Sequence, residues 1–429
     1  MSFEPDYSRV FFPNQITAAT DIVATFVNSQ RLFADGTSPD HTNPLPFYSL
    51  LWAQVQSGKS GTFHCIARMM YWKGLIDHVY ILCGSSETCL RDQAIKDMNH
   101  YQSDIIDDFE VIFRQDFFKR MPLSHNPLRL ERALFIIDES HMDQDKNQQL
   151  NVLLSAYGLS LAGTVPLMRD NNTFIVSVDA TPYAEVAAVL SHHSLPKHIH
   201  KMIPGKGYIG PIQLANAGRL HNAPDIADFN FTRIANIIRT YATGKYAIFR
   251  TRGKKTKILV ALCKTFGFDL RFYMMKKSNI VITDDEKTPL IRQSLQDKPL
   301  KTTIVIISGR LRAGKVVPKE HLGLMWESAP KSNTDVLIQG LWGRACGYYN
   351  SKLMPHIFLP LVHLVTSGEL DKYKDAHYST DTPTFTIPRG SETPSATSLP
   401  LRHPLSADGL SETPAFIIPT RASNLKRLS

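Results

Sequence analysis

The sequence predicts an α/β protein built as two tandem parallel-sheet lobes, followed by a low-complexity tail. Three observations carry that expectation. Short runs that are apolar throughout alternate with helix-period segments, the pattern of strands buried on both faces by covering helices. The alternation occurs twice, on either side of a Gly/Pro-rich stretch at 204–211. From about Asp371 onward the chain is rich in Ser, Thr and Pro and loses all periodicity, as disordered segments do.

In the first series the apolar runs are Tyr48–Ala53, His78–Cys83, Phe109–Phe113, Ala133–Ile137 and Thr173–Val178. Between the first two, Phe63, Ile66, Ala67, Met70 and Tyr71 share one face of a helix expected over Ser60–Lys73. The second series has runs at Tyr246–Arg250, Leu270–Met274, Asn279–Thr283, Thr302–Ser308 and Leu322–Glu327. The expected division is 1–205, 206–370 and a tail at 371–429, each lobe of ordinary domain size. The tail carries a weak repeat, TPTFTIPRG at Thr382–Gly390 and TPAFIIPTR at Thr413–Arg421, which is a candidate docking segment for a protein partner or an accidental similarity.

Composition narrows the function classes. No stretch reaches the ~20 apolar residues of a membrane span, and the N-terminus has acids and a proline where a signal peptide is basic and then apolar. Five scattered cysteines without a CxxC pair fit free thiols in a reducing compartment, cytoplasm or nucleus. The net charge of +9 is unevenly placed. Residues 1–210 hold 17 basic and 22 acidic residues, whereas 211–370 hold 24 and 11. A basic second lobe suits a polyanion such as a nucleic-acid backbone, or is a solvated basic surface.

Two motifs carry chemistry. The run Ala53–Ser60 (AQVQSGKS) lies between a predicted strand and a predicted helix, as a phosphate-binding loop requires. Backbone N–H groups of Gln56, Ser57, Gly58, Lys59, Ser60, Gly61 and Thr62 would face phosphates at a helix N-terminus. Lys59 would neutralise the outer phosphate oxygens and Ser60 would ligate Mg²⁺. The run Leu134–His141 (LFIIDESH) is a buried strand ending in two acids, at the edge where open parallel sheets hold ligands. Asp138 would bind Mg²⁺ and Glu139 would position and deprotonate a water.

With these motifs in this order, the chain resembles the superfamily 2 helicases, with DESH where the family has DEAD, DEAH or DExH. The resemblance covers about residues 8–365. It implies two RecA-like lobes, ATP and Mg²⁺ in the cleft between them, and DNA or RNA lying across both. Ser177–Pro182 (SVDATP) resembles the coupling motif of the family, with Thr181 at its centre. Gln15, after Phe11 and Phe12, resembles the glutamine that reads adenine, with either phenylalanine able to stack on the ring. In the second lobe, Ile306–Lys315 resembles motif V and brings Arg310 and Arg312. The stretch Tyr246–Lys257 resembles the strand and basic loop beside the nucleic acid, bringing Arg250 and Arg252. Gln339–Tyr348 (QGLWGRACGY) resembles motif VI, which implies catalytic roles for Gln339 and for Arg344 as the arginine finger.

The departures from the family pattern are Gln56 for the usual second glycine, Asp179 for the coupling-motif serine, an extra residue before Gly343, and Gly347 for a second arginine. They mark a divergent branch that looks like phage and large-DNA-virus helicases. ATP hydrolysis is the firmer expectation, strand separation the weaker one. The alternatives are a translocase that moves without separating strands, and a nucleic-acid-binding scaffold or pseudo-helicase. A P-loop kinase or GTPase would explain only the first lobe. His192, His193, His198 and His200 could bind a metal, but with no cysteine near and Glu185 the nearest acid, a polar loop is the expectation there.

Overall fold

The computed structural model describes residues 5–36, 45–83, 88–102, 109–139, 149–161, 163–180, 182, 185, 197–251, 253–274, 295–308, 316–328 and 340–360. The tail with its repeat and the expected strand Asn279–Thr283 lie outside them.

Two six-stranded sheets, every neighbouring pair parallel, form the two lobes. The first comprises β1 (Tyr48–Ala53), β2 (His78–Cys83), β3 (Phe109–Phe113), β4 (Ala133–Asp138), β5 (Phe174–Asp179) and β6 (Lys197–Met202), in the order β3-β2-β4-β5-β1-β6. Every residue of β1 and β5 is buried, which is why these strands read as continuous apolar runs rather than alternating ones. Helix α1 (Pro13–Ala34) packs on helix α2 (Lys59–Trp72) and on β6. Pro13 opens α1 at its first position, where the missing N–H costs nothing.

Strand β7 (Tyr208–Ile209) falls inside the Gly/Pro-rich stretch read as a linker. The second sheet comprises β8 (Leu220–Asn222), β9 (Tyr246–Arg250), β10 (Asp269–Met274), β11 (Thr303–Ser308), β12 (Leu322–Glu327) and β14 (His356–Leu359), in the order β10-β11-β9-β12-β14-β8. Strand β13 (Gly347–Tyr348) pairs antiparallel with β7, so the connecting segment is anchored to the far end of the motif VI region. The two faces of the second sheet separate by strand alternation. Ala247, Phe249, Ile304 and Ile306 share one core with the helices Phe231–Ala242 and Lys254–Phe266. Tyr246, Ile248, Val305 and Ile307 share the other with Leu341, Trp342 and two first-lobe residues, Val55 and Ala180. The lobes therefore meet through an apolar patch directly behind the phosphate loop.

The stretch expected to be a polar loop after the coupling motif is, from Lys197 onward, the edge strand β6. It was hidden because its sequence, KHIHKM, has few apolar residues. Lys197 and Met202 at its two ends are buried and the residues between them are half-buried, as a one-sided edge strand allows. His192 and His193 lie outside the described residues. Glu185 is buried beside Lys197, whose Nζ lies 2.6 Å from Glu185 Oε1, and the same oxygen accepts from the Ser177 and Tyr48 hydroxyls. The Lys197 ammonium also lies over the Tyr48 ring, 3.9 Å from its centroid, and donates to the Leu161 carbonyl. Burial lowers the Lys197 pKa, with Glu185 opposing. Three strands, β1, β5 and β6, thus converge on one buried carboxylate. Replacing Glu185 with Ala would leave Lys197 charged and uncompensated, and should cost roughly 3–5 kcal/mol of stability. Urea denaturation followed by tryptophan fluorescence would check this.

Candidate nucleotide-binding cleft

The phosphate loop owes its shape to two residues with left-handed backbone. Gly58 has φ of 102°, natural for glycine, and Gln56 has φ of 56° where the related pattern has glycine. The backbone conformation has been kept although the residue has changed. Gly58 caps α2, so the helix begins at Lys59, and Ser60 and Gly61 lie in its first turn.

Side chains from three distant segments seize the carbonyls of this loop. Gln15 donates from Nε2 to the Gly58 carbonyl at 2.9 Å, while its Oε1 accepts from the Phe12 N–H at 2.9 Å. Tyr208 donates to the Val55 carbonyl at 2.6 Å. Tyr348 donates to the Ser57 carbonyl at 3.1 Å, and its own oxygen accepts from the Gly205 N–H at 2.8 Å. Gln15 is buried so closely on the loop that a Cβ on Gly61 would stand 2.2 Å from its Nε2. Only glycine fits there while the clamp is in place.

The acids arrive from β4. Asp138 is the last residue of that strand, paired in register with Val178 of β5, and Glu139 follows with φ of 55°. Glu139 Oε1 lies 3.6 Å from Lys59 Nζ. Burial first, then the neighbouring Glu139 carboxylate, push the Asp138 pKa up to about 7, against the pull of Lys59; Asp179 adds to the rise. Such a pair of crowded carboxylates beside one lysine is a site that a dication would relieve.

One cavity of about 600 Å³ collects these groups. Gln15, Gln56, Gly58, Lys59, Ser60, Gly61, Asp138 and Glu139 line it from the first lobe, and Arg344 and Tyr348 from the second. Arg344 lies in a single 3-10 turn, Trp342–Ala345, and is 1% exposed. Ser57 and Thr62, expected among the nucleotide contacts, are not on this wall. Ser57 turns its carbonyl to Tyr348, and the Thr62 hydroxyl turns back to the Gly58 carbonyl and to Met202 Sδ, because the first turn of α2 faces the lobe core there. Arg250, expected near nucleic acid, forms an ion pair with the buried Glu327, so its charge is compensated within the lobe. Thr181, Arg252, Arg310, Arg312 and Gln339 lie outside the described residues.

Three cavity or near-cavity groups escaped the sequence. Tyr348 closes the quoted motif, yet nothing local signals its reach to the other lobe. Its ring is nearly parallel to that of the exposed Phe12, 18° apart with centroids 6.4 Å apart. His64, on the cavity wall, is buried against Tyr101 and Gln102, and burial lowers its pKa to about 3, so it is neutral. Lys319 is buried near Arg344; burial lowers its pKa to about 7, with Cys346 opposing and Arg344 adding.

Among the described residues, no helix is long and apolar enough to cross a membrane. Cys65, Cys83, Cys263 and Cys346 are free and buried. No family model matches the chain. An uncharacterized protein of Acanthamoeba polyphaga mimivirus is 26% identical over 230 residues, covering 51% of this chain and 54% of that protein. The chain thus spans about half the length of the curated relative it matches. Similar solved structures include S. cerevisiae Dbp5 bound to RNA and ADP BeF3, 14% identical, with a TM-score of 0.48 and 86% of this chain and 93% of that one covered. Mss116p bound to ssRNA and AMP-PNP is 12% identical, with a TM-score of 0.49 and coverage of 77% and 69%. The E. coli DExH-box NTPase HrpB is 13% identical, with a TM-score of 0.45 and coverage of 73% and 39%. The order of its motifs, set on two six-stranded parallel sheets, keeps the resemblance to the superfamily 2 helicases that the sequence carries.

Proposed function

We propose that this chain is an ATP-hydrolysing nucleic-acid motor, a helicase or translocase that works on DNA or RNA. The observation that carries the reading is that Lys59, Asp138 and Glu139 of one lobe and Arg344 of the other line a single cavity. A kinase or GTPase of one lobe has no use for that buried arginine. The basic surplus of the second lobe, 24 against 11 charged residues, supports a polyanionic track.

The residues divide the chemistry between them. Ser60 and Asp138 would hold Mg²⁺, which supplies charge neutralisation at the phosphate oxygens when bound. Lys59 leaves Glu139 for the outer phosphates, and the released Glu139 carboxylate orients a water and accepts its proton. Arg344 stabilises the charge that develops as the terminal phosphoryl group departs. The flat faces of Phe12 and Tyr348 at the cavity wall suit a base, with the second amide hydrogen of Gln15 available to it. The lobes divide near residue 205, and the tail from 371 is a candidate site for a protein partner.

Steady-state ATP hydrolysis, measured alone and with single- and double-stranded DNA and RNA, tests this directly. Stimulation by one polymer is expected. Glu139→Gln should lower kcat by about 10²–10⁴-fold with nucleotide still bound, and Arg344→Ala by about 10³-fold or more. Polymer binding without hydrolysis would make the chain a scaffold and end the motor reading. A second prediction concerns the loop clamps. Tyr348→Phe removes both the hydrogen bond to the Ser57 carbonyl, worth roughly 1 kcal/mol, and the one accepted from Gly205, and should weaken ATP-analogue binding about fivefold or more. Gly61→Ala should weaken it further by forcing Gln15 off the loop. Fluorescent-nucleotide titration would measure both.

A further inference from the structure

The contact between helix α1 and the edge strand β6 holds a cluster that the nucleotide cleft does not use. His198 and His200 are two residues apart on β6, so both side chains leave the same face of the strand. Asp21, on α1, meets them. His200 Nδ1 lies 2.6 Å from Asp21 Oδ2, and His198 Nε2 lies 3.4 Å from the same oxygen. One ligand atom from each of the three residues falls within 4.8 Å of the other two. Both imidazoles are mostly buried, at 22% and 18% exposed, whereas Asp21 is 51% exposed and open to solvent.

We propose that Asp21, His198 and His200 form a site for a divalent transition-metal ion, zinc being the best fit. Two imidazoles and a carboxylate are the donor set such ions take, with a fourth position left for water. Four-coordinate zinc with ligands at ~2.0–2.2 Å needs donor atoms ~3.4 Å apart, which the His198–Asp21 separation already matches. The shorter His200–Asp21 contact would open as the ion enters.

A supporting contact fixes the ligand geometry. Ser49, in the neighbouring strand β1, lies 3.1 Å through its Oγ from His198 Nδ1, so Nε2 is the nitrogen turned to the site.

The position gives the ion a role. Helix α1 carries Gln15 at its start, and Gln15 grips the phosphate loop. Strand β6 ends in Met202, against Thr62 of α2. The bound ion would lock these two supports of the loop to each other.

Cobalt titration of the full chain, stripped with chelator and free of Mg²⁺ and nucleotide, tests the proposal through the visible absorption of the bound ion. The expected result is one equivalent bound, displaced by Zn²⁺. The band should vanish in Asp21→Asn and His200→Gln, replacements that keep a hydrogen-bonding side chain at the contact, and persist in Asp138→Asn. His198→Gln gives a further check, and unchanged far-UV circular dichroism separates loss of a ligand from loss of fold. Absence of the band in the unsubstituted chain, its persistence in Asp21→Asn, or its loss in Asp138→Asn would overturn the site.

Discussion

The rest of the site depends on how the phosphate loop disposes of its carbonyl groups. A tight loop at a helix N-terminus can turn N–H groups toward an anion only if its carbonyls find donors elsewhere, because every buried peptide group must be satisfied. Here Tyr208, Tyr348 and Gln15 supply those donors to Val55, Ser57 and Gly58. None is near the loop in sequence. The loop is therefore a product of the whole fold, and α2 can begin at Lys59 only because Gly58 before it is left-handed and held.

That arrangement also accounts for the two glycines that could not be larger. Gly58 has a backbone few other residues accept, and Gly61 lies under the Gln15 amide. Gln56 is the contrasting case. It takes a left-handed backbone without being glycine, an uncommon choice for a non-glycine residue. Its side-chain oxygen would lie 3.3 Å from a Cβ added to Gly347, which places it between the lobes. A glycine there would relax the backbone and leave that space empty.

Much of the fold was legible because buried parallel strands announce themselves. Tyr48–Ala53, His78–Cys83, Phe109–Phe113, Tyr246–Arg250 and Leu322–Glu327 appear with the expected bounds, and others differ by a residue. Two of the four edge strands, Phe109–Phe113 and Asp269–Met274, were legible because they are largely apolar; the other two were not. Lys197–Met202 contains two histidines and two lysines because one side meets α1 and solvent rather than core, and Leu220–Asn222 is only three residues long. In the site, Lys59, Ser60, Asp138, Glu139 and Arg344 were readable from local motifs that need particular chemistry at fixed spacing. Tyr208, Tyr348, Lys319 and the Glu185–Lys197 pair were not, since their meaning lies in contacts across 12 to more than 290 residues of chain. For Arg250, expected beside nucleic acid, the structure adds a contact the sequence does not signal: an ion pair with Glu327, which ends the strand next to it in the sheet.

Tyr348 belongs to one lobe and completes the binding loop of the other, with the hinge-side Gly205 bonded to the same hydroxyl. If the loop holds a nucleotide as proposed, its affinity and the spacing of the lobes are one thermodynamic variable seen from two sides. Whatever prises the lobes apart, whether a strand wedged between them or a partner pulling on the second lobe, removes a donor from the loop and loosens its grip on phosphate. By reciprocity, a nucleotide that prefers the finished loop draws the lobes together with the same free energy. In such a design the far lobe need not touch the nucleotide to govern its release.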